Sequence, residues 1–298
     1  MKETEGVRVL ETEDLERIPR RKRDANKGSC GHALVIAGSS GMCGAAYLSA
    51  LAAYRTGAGL VRIMTPEENR VILQILLPEA IVSPFRTEEV LEKSEAWQKT
   101  LAEALGWADV IVLGPGLGRE PHVKRLVEDV LEGAFVPLIV DADALNTIAE
   151  YPYLTGYYTE NIIITPHPAE MSRLVEKPVP EILRDPAGTA AAYRDTHGIT
   201  CVLKSDRTVT AANDGSLTRT ESGTPALAKG GTGDVLTGII AGLICLGMEE
   251  GDAAAMGSYL HGLSGRKAAE RHSAHGVLAR EVAEAVPEVM RLVPGISM

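Results

Sequence analysis

Six short, almost wholly apolar runs recur along this 298-residue chain, with helix-length segments between them. The runs are ALVIA (33–37), LVRIM (60–64), VIVL (110–113), PLIV (137–140), IIIT (162–165) and CVLK (201–204). Continuous apolar strands are typical of a parallel sheet covered on both faces, and parallel strands need long crossover connections. The pattern therefore predicts an α/β fold, a three-layer α/β/α sandwich with a mainly parallel central sheet.

A later pair of segments predicts a hairpin. TVTAA (208–212) and LTRT (217–220) flank a connector of Asn, Asp, Gly and Ser, which is typical of a turn between antiparallel strands. We expect this hairpin near the edge of the sheet. After it, the Ala-rich stretches 253–271 and 278–292 predict long helices.

The organisation of the chain is expected to be simple. No linker or internal repeat separates the sheet from the helices, so we expect a single domain over residues 27–298, preceded by a charged N-terminal arm over residues 1–26. The arm lacks the apolar stretch of a secretory signal, and we expect a cytoplasmic protein. Residues 33–54 are uncharged and match a membrane span of about 20 residues, but their glycines predict a strand, a turn and a helix.

Composition excludes several classes of protein. Forty acidic and thirty basic side chains leave a net charge of −10, which argues against nucleic acid or an anionic membrane as the main partner. The four cysteines form no C-x-x-C pair, which zinc sites normally need, so we expect reduced thiols in the core. They are Cys30, Cys43, Cys201 and Cys245.

Five of the apolar runs end in glycine or polar residues. The segments are GSSGMCGAA (38–46), GPGLG (114–118), DADALN (141–146), PHPAE (166–170) and SDRT (205–208). One glycine after a strand is usually only a turn, but ligands of open parallel sheets bind outside the carboxyl ends of the strands. Five such ends, in a chain with thirty glycines, predict a ligand site there.

The segment AKGGTGD (228–234) runs directly into an uncharged stretch that predicts a buried helix. Glycines let backbone amides approach a phosphate, and the start of a helix favours negative charge, so the segment predicts an anion hole. Asp234 at the junction has two interpretations, a helix cap or a general base beside the phosphate. The two roles are compatible.

Two common phosphate motifs are not supported. The chain contains no Gly-Lys dipeptide, which excludes a P-loop. GPGLG has the spacing G-x-G-x-G rather than G-x-G-x-x-G, which disfavours a conventional dinucleotide-binding fold.

In this order the motifs resemble those of the ADP- or ATP-dependent NAD(P)H-hydrate dehydratases, a branch of the ribokinase-like superfamily. They are KGSCG (27–31), AGSSGMCGAAYLSALAAYRTGAGLV (37–61), GPGLG, DADALN, TPHPAE (165–170) and AKGGTGD. The resemblance implies a ribokinase-like fold and a lyase that dehydrates the S-form of hydrated NADH or NADPH back to NAD(P)H. It also implies Mg²⁺, and ADP or ATP as cosubstrate. ADP, giving AMP and phosphate, is preferred because no epimerase portion is fused to this chain. A homotetramer is expected.

The resemblance also implies roles for residues. Asp234 is similar to the family's catalytic base, which acts on the hydroxyl of the hydrate. The turn before it would hold the transferring phosphoryl group, and another strand end would line the adenine nucleotide. These nucleotide-binding positions are Gly230, Gly231, Thr232 and Gly233, with Lys204, Ser205, Asp206, Arg207 and Thr208.

For the hydrated dinucleotide, the matching positions are Ala45, Gly116 and His167, together with Asp234. Glu170 occupies the place of a superfamily glutamate that organises Mg²⁺ and phosphate through water. Its alternative interpretation is an acidic residue in the first turn of a helix.

Histidines differ in their predicted roles. His167 lies between two prolines, so it is presented from a stiff loop and not from the middle of a helix. Its alternative interpretation is a hydrogen-bonded loop histidine without a role. His261 resembles a family position that packs. The other histidines have no partner pattern.

The chain departs from the family pattern at several positions. Thr224 stands where the family commonly has Asn, Ser205 replaces a frequent Gly, Ala169 replaces Gly, and Arg266 stands where Asp is usual. The first two affect nucleotide contact, and Arg266 affects the helix packing beneath the site.

Two other functions remain open at this point. One is a ribokinase-like kinase that phosphorylates the alcohol of a vitamin precursor and releases the ester, since the same aspartate and glycine turn would serve. The other is a catalytically inactive nucleotide-binding module.

Overall fold

Strands and α-helices alternate along most of the chain in the computed structural model, which describes residues 3–4 and 6–293. The strands are β1 (Glu3–Thr4), β2 (Val7–Val9), β3 (His32–Ile36), β4 (Leu60–Pro66), β5 (Ile81–Phe85), β6 (Val110–Leu113), β7 (Leu138–Val140), β8 (Ile162–Ile164), β9 (Thr200–Leu203), β10 (Val209–Ala211) and β11 (Leu217–Arg219). The helices are α1 (Cys43–Thr56), α2 (Arg70–Leu76), α3 (Thr87–Leu91), α4 (Glu95–Trp107), α5 (Pro121–Gly133), α6 (Ala142–Glu150), α7 (Pro168–Val175), α8 (Val179–Arg184), α9 (Pro186–His197), α10 (Thr232–Cys245), α11 (Glu250–Gly276) and α12 (Ala279–Met290).

The strands form one sheet in the order β1-β2-β11-β10-β9-β8-β7-β6-β3-β4-β5. From β9 to β5 every neighbouring pair is parallel. Strand β10 is antiparallel to both β9 and β11, which confirms the predicted hairpin. The mainly parallel sheet is also confirmed. All six apolar runs contain strands, whereas β1, β2 and β5 had no prediction.

Helices cover both faces of this sheet. Successive strand residues point to opposite faces, so Ala33 and Val35 of β3 enter a core with α1, α10, α11 and α12. Leu34 and Ile36 enter a second core with α4, α5, α6 and α9. The predicted three-layer α/β/α architecture is confirmed.

The first core is filled by small and aliphatic side chains, which allows very close helix packing. A Cβ atom built on Gly238 of α10 would lie 2.1 Å from the carbonyl oxygen of Ser49 in α1. Only a glycine leaves room for this approach, which fixes α10 against α1 and so sets the position of the turn before α10.

The N-terminal segment belongs partly to the domain. Strand β2 pairs in parallel with β11, and Leu10, Leu15 and Ile18 are buried in the first core. The expected charged arm over residues 1–26 is therefore wrong over residues 7–18, where apolar side chains placed between the charges join the sheet and core. Residues 1, 2 and 5 lie outside the described residues.

The remaining local predictions have mixed outcomes. Residues 33–54 form β3, a glycine turn and α1, as predicted, and no helix in the described part of the chain has the length and hydropathy to cross a membrane. The cysteines are free, and all are buried except Cys43, which is half-buried. The long C-terminal helices are present, but α11 continues to Gly276 and contains Ser273 with non-helical angles.

Candidate functional site

The five polar strand ends meet at one edge of the sheet. Strands β9, β8, β7, β6 and β3 are consecutive neighbours and parallel, so their carboxyl ends lie side by side. The segments that follow them are the five predicted to form a ligand site. Helix α10 also begins here, beside the ends of β7 and β9.

The start of α10 is formed by the glycine turn. Gly231 is the N-cap, has a φ of +91°, and provides no side-chain hydrogen bond to the helix. Left-handed backbone of this kind favours glycine. The amide of Thr232 donates to the carbonyl oxygen of Lys229, whereas the amide of Gly233 is free to bind an anion. Asp234 lies in the first turn and is not the N-cap, so the interpretation of Asp234 as a helix cap is wrong.

Two buried hydroxyls fix the backbone of Asp234. The Oγ of Ser49 donates to the carbonyl oxygen of Asp234 at 2.9 Å, and the Oγ1 of Thr237 donates to the same oxygen at 2.7 Å. Both side chains are fully buried. Sequence reasoning missed Ser49, although a single serine in the apolar run AAYLSALAA was a signal for it.

The carboxyl group of Asp234 has an unusual environment. Burial and the nearby carboxylate of Asp141 raise its pKa to about 7, against the opposing effect of Lys204. Asp143 and Glu170 raise it further. A carboxylate with a pKa near neutrality is well suited to take a proton at physiological pH.

Lys204, at the end of β9, lies between two of these carboxylates. Its Nζ donates to Oδ1 of Asp141 at 2.6 Å and lies 3.8 Å from Oε2 of Glu170. Burial by itself would lower the pKa of Lys204, but the two carboxylates raise it. The ammonium is thus held in its charged form, 3.4 Å from a Cβ atom built on Gly233 and hence beside the anion-binding turn.

His167 is the N-cap of α7, which confirms that it is presented from a loop. Its Nδ1 accepts hydrogen bonds from the backbone amides of Ala169 and Glu170 at 3.1 and 3.2 Å. Burial and Lys204 lower the pKa of His167. The imidazole is therefore neutral at pH 7, and Nδ1 is its unprotonated nitrogen. The side chain is 48 % exposed, so it remains accessible to a ligand.

A cavity of about 340 Å³ lies above the start of α10. The predicted site residues in its wall are His167, Lys204, Ser205, Thr208, Thr232 and Gly233. Asp206 and Arg207 line a different cleft, at the start of α9. Gly230 is exposed and adjoins the cavity through Lys229.

His261 also lines this cavity, although its sequence predicted only packing. Burial and Lys204 lower the pKa of His261 to about 4, and its buried Nε2 has no hydrogen-bond partner. The family resemblance implied only a packing role for this position.

The remaining two predicted substrate positions lie together, next to the end of β6. A Cβ atom built on Gly116 would be 2.8 Å from the Cβ of Ala45. Two residues further on, the amide of Gly118 donates to Oδ2 of Asp143 at 2.8 Å. Ala142, before Asp143, has a φ of +51°, which is uncommon for a residue other than glycine. Sequence reasoning noted the segment DADALN but assigned no role to its aspartates.

The carboxylates of the site suit a magnesium ion that is bound mainly by water and by substrate phosphates. Across residues 3–4 and 6–293, no group of three or more His, Cys, Asp or Glu side chains could hold a metal ion by itself. Mg²⁺ usually keeps several waters and binds one or two carboxylates together with substrate phosphates. Glu170 and Asp141, both paired with Lys204 of the cavity wall, fit that arrangement.

Comparison with known proteins decides the family. A family model described as NAD(P)H-hydrate dehydratase matches residues 33–288. The chain belongs to this family. A curated relative from Moorella thermoacetica, "Bifunctional NAD(P)H-hydrate repair enzyme Nnr", is 38 % identical over 92 % of this chain and 52 % of its own length. The chain thus spans about half the length of the bifunctional relatives that it matches.

A second relative is similar over nearly its whole length. The Bacillus subtilis "ADP-dependent (S)-NAD(P)H-hydrate dehydratase" is 36 % identical over 92 % of this chain and 94 % of its own. A crystal structure of the ADP/ATP-dependent NAD(P)H-hydrate dehydratase from Bacillus subtilis, co-crystallised with ATP and Mg²⁺, has a TM-score of 0.81 and 33 % identity. It covers 97 % of this chain and 99 % of that one. The ribokinase-like fold that the resemblance implies is confirmed.

Proposed function

We propose that this chain dehydrates the S-form of hydrated NADH or NADPH to NAD(P)H, with ADP as preferred cosubstrate and AMP and phosphate as further products. The observation that carries the proposal is the placement of Asp234, a carboxyl group with a pKa of about 7, in the first turn after an anion-binding glycine turn. Membership of the family and the names of the relatives support it.

In the first step, the carboxylate of Asp234 takes the proton of the hydrate hydroxyl while the hydroxyl oxygen attacks the terminal phosphorus of the nucleotide. A new oxygen–phosphorus bond forms and the bond to the departing nucleotide oxygen breaks, so ADP yields AMP. The free amides of Gly231 and Gly233 stabilise the charge of the phosphoryl group. Lys204 places a fixed positive charge beside them.

In the second step, the phosphorylated hydroxyl leaves as phosphate. The carbon–oxygen bond breaks, the departing phosphate takes up the proton lost from the neighbouring ring carbon, and the double bond of the reduced nicotinamide is restored. Phosphate is a far better leaving group than hydroxide, which explains why a nucleotide is consumed. Glu170 would help to hold a Mg²⁺ ion through water, and the ion would neutralise part of the phosphate charge.

We assign the dinucleotide to the side of the site that carries Ala45, Gly116 and His167, and the adenine nucleotide to the 340 Å³ cavity. The strand-end segment from Lys204 to Thr208 would line the latter. Asp206 and Arg207 would then act through their backbone, because they line another cleft. The homotetramer and the cytoplasmic location stay predictions.

The competing function is a kinase that releases the phosphate ester of a small alcohol. In the test, purified protein and Mg²⁺ are mixed with ADP or ATP and with hydrated NADH or hydrated NADPH, so that all four combinations of nucleotide and hydrate are measured. We expect the near-ultraviolet absorbance of the reduced nicotinamide to return, faster with ADP. A control without nucleotide stays flat. Nucleotide consumption without return of absorbance would contradict the dehydratase.

The pH dependence follows from Asp234. The base acts as a carboxylate, so we expect kcat/KM to rise with pH through about 7, the pKa of Asp234, and to be low below it. Asp141→Asn removes a charge that raises this pKa, so the rise should move to lower pH. Glu103→Gln, which removes an exposed carboxylate paired with Lys99, provides a control with an unshifted profile. A shift to higher pH in Asp141→Asn would contradict the assignment.

Arg266, which departs from the family pattern, supports the wall of the nucleotide cavity. Its guanidinium donates to the carbonyl oxygens of Glu221 and Gly223, and Gly223 lines the nucleotide cavity. For Arg266→Ala we expect the KM for ADP to rise about five-fold, roughly the effect of one lost hydrogen bond, with little change in kcat. Arg266→Lys should recover part of the loss, and Lys267→Ala, next to it, should have no effect. An unchanged KM in Arg266→Ala would refute the role.

A further inference from the structure

A second polar cleft adjoins the site on the side of the dinucleotide positions. It lies between the start of α5, the end of α6 and α7, and its volume is about 670 Å³. Ligand pockets in proteins commonly measure about 300 to 1,000 Å³, so the cleft is large enough for a nucleotide. None of the residues in its wall is a predicted site residue.

One chain of hydrogen bonds links the cleft to Gly118, two residues after the predicted substrate position Gly116. The amide of Gly118 donates to Asp143, and Nδ2 of Asn146 donates to the other oxygen of Asp143 at 3.4 Å. Nη1 of Arg173 then donates to Oδ1 of Asn146 at 2.8 Å. The cleft is also adjacent in sequence to the site. Arg119 directly follows Gly118, and helix α7, which carries Arg173, begins immediately after His167.

The chemistry of the wall matches a phosphorylated ribonucleoside. Arg119, Lys124 and Arg173 can bind phosphate, and arginine does so with two parallel hydrogen bonds. The ring of Tyr151 provides an aromatic surface, with Nζ of Lys124 at 4.5 Å from its centre.

Carboxylates are also present in this wall, on Glu120, Glu150 and Glu176, so three cations face three anions. Net charge therefore does not attract the ligand, and recognition must be local. In dinucleotide sites a carboxylate binds the ribose hydroxyls of NAD, whereas arginine accepts the additional phosphate of NADP. A wall with both groups suits either dinucleotide.

We propose that this cleft binds the adenosine diphosphate half of the hydrated dinucleotide, while the nicotinamide half lies at Ala45, Gly116 and Asp234. The inference rests on the proposed function, since it takes the substrate to be a dinucleotide. It assigns Arg173 and Lys124 to substrate affinity and not to the chemical step.

Kinetics provide the first test. For Arg173→Ala and Lys124→Ala we expect the KM for hydrated NADPH to rise about ten-fold, as for loss of a charged hydrogen bond, while kcat and the KM for ADP stay unchanged. The matched control is Lys177→Ala, which removes an exposed cation just beyond α7 that is paired with Glu181 and absent from the cleft. An unchanged KM in both cleft variants would overturn the proposal.

A binding test separates this inference from the proposed function. Stable NADPH and reduced nicotinamide mononucleotide, which lacks the adenosine half, are titrated against wild type and Arg173→Ala and followed by nicotinamide fluorescence. We expect the variant to lose about ten-fold in affinity for NADPH and nothing for the mononucleotide. Equal losses for both ligands, or none, would overturn the cleft. Absence of hydrate turnover by wild type would refute the proposed function. The comparison of NADPH with the mononucleotide does not depend on turnover and would still decide whether the cleft binds the adenosine half.

Discussion

Asp234→Asn is expected to lower kcat for hydrate dehydration at least about 100-fold, because asparagine keeps the shape of the side chain but cannot accept the proton. Nucleotide affinity should change little, since the backbone amides of the turn and Lys204 remain. The two quantities are measured by single-turnover kinetics and by calorimetric titration with ADP.

The matched control for this variant is Asp195→Asn, an exposed aspartate on α9, which should behave like wild type. The fold of Asp234→Asn should be intact, because Ser49 and Thr237 bind its backbone oxygen and not its carboxylate. A variant that retains more than about a tenth of wild-type kcat would contradict the role of Asp234 as general base.

Gly238→Ala is expected to destabilise the protein by about 3 kcal/mol, the upper part of the usual range for an overpacked core. The added Cβ would lie 2.1 Å from the carbonyl oxygen of Ser49 and 2.7 Å from the Cβ of Ala52, so α1 and α10 must separate. Because Ser49 also holds Asp234, turnover should fall as well. Denaturant unfolding and steady-state kinetics measure the two effects.

The sign of the stability change is informative, since alanine is favoured over glycine inside a helix by about 1 kcal/mol. Gly106→Ala in α4 is the control, because nothing lies within 4 Å of its added Cβ, and its stability should stay equal or rise slightly. Stabilisation by Gly238→Ala would show that the close contact between α1 and α10 does not exist.

The central sheet could be predicted from the sequence because its strands are buried on both faces and appear as continuous apolar runs. Strand β5 lacks this signal, since Pro84 interrupts it and it lies at the sheet edge, where proline is tolerated. Strand β2 has only three residues among charged neighbours. Both depend on a partner strand distant in sequence, which no local pattern reveals.

The candidate site, like the sheet, could be predicted only where its residues are contiguous in sequence. The glycine turn and Asp234 are contiguous, so their pattern alone predicted an anion site. The ion pair of Lys204 with Asp141 joins residues 63 positions apart, and the pKa of Asp234 depends on three carboxylates from two other segments. These features arise only when the strand ends meet at one edge of the sheet, and the single buried serine of α1 acquires its role by the same packing.

The most direct test of the proposed dehydration measures two products together, the reduced nicotinamide by its near-ultraviolet absorbance and inorganic phosphate by a coupled assay, after mixing the protein with hydrated NADH, ADP and Mg²⁺. We predict one phosphate released for each reduced nicotinamide formed, with AMP as the nucleotide product. ADP consumption with a stable phosphate ester and no return of absorbance would contradict the account and indicate a kinase.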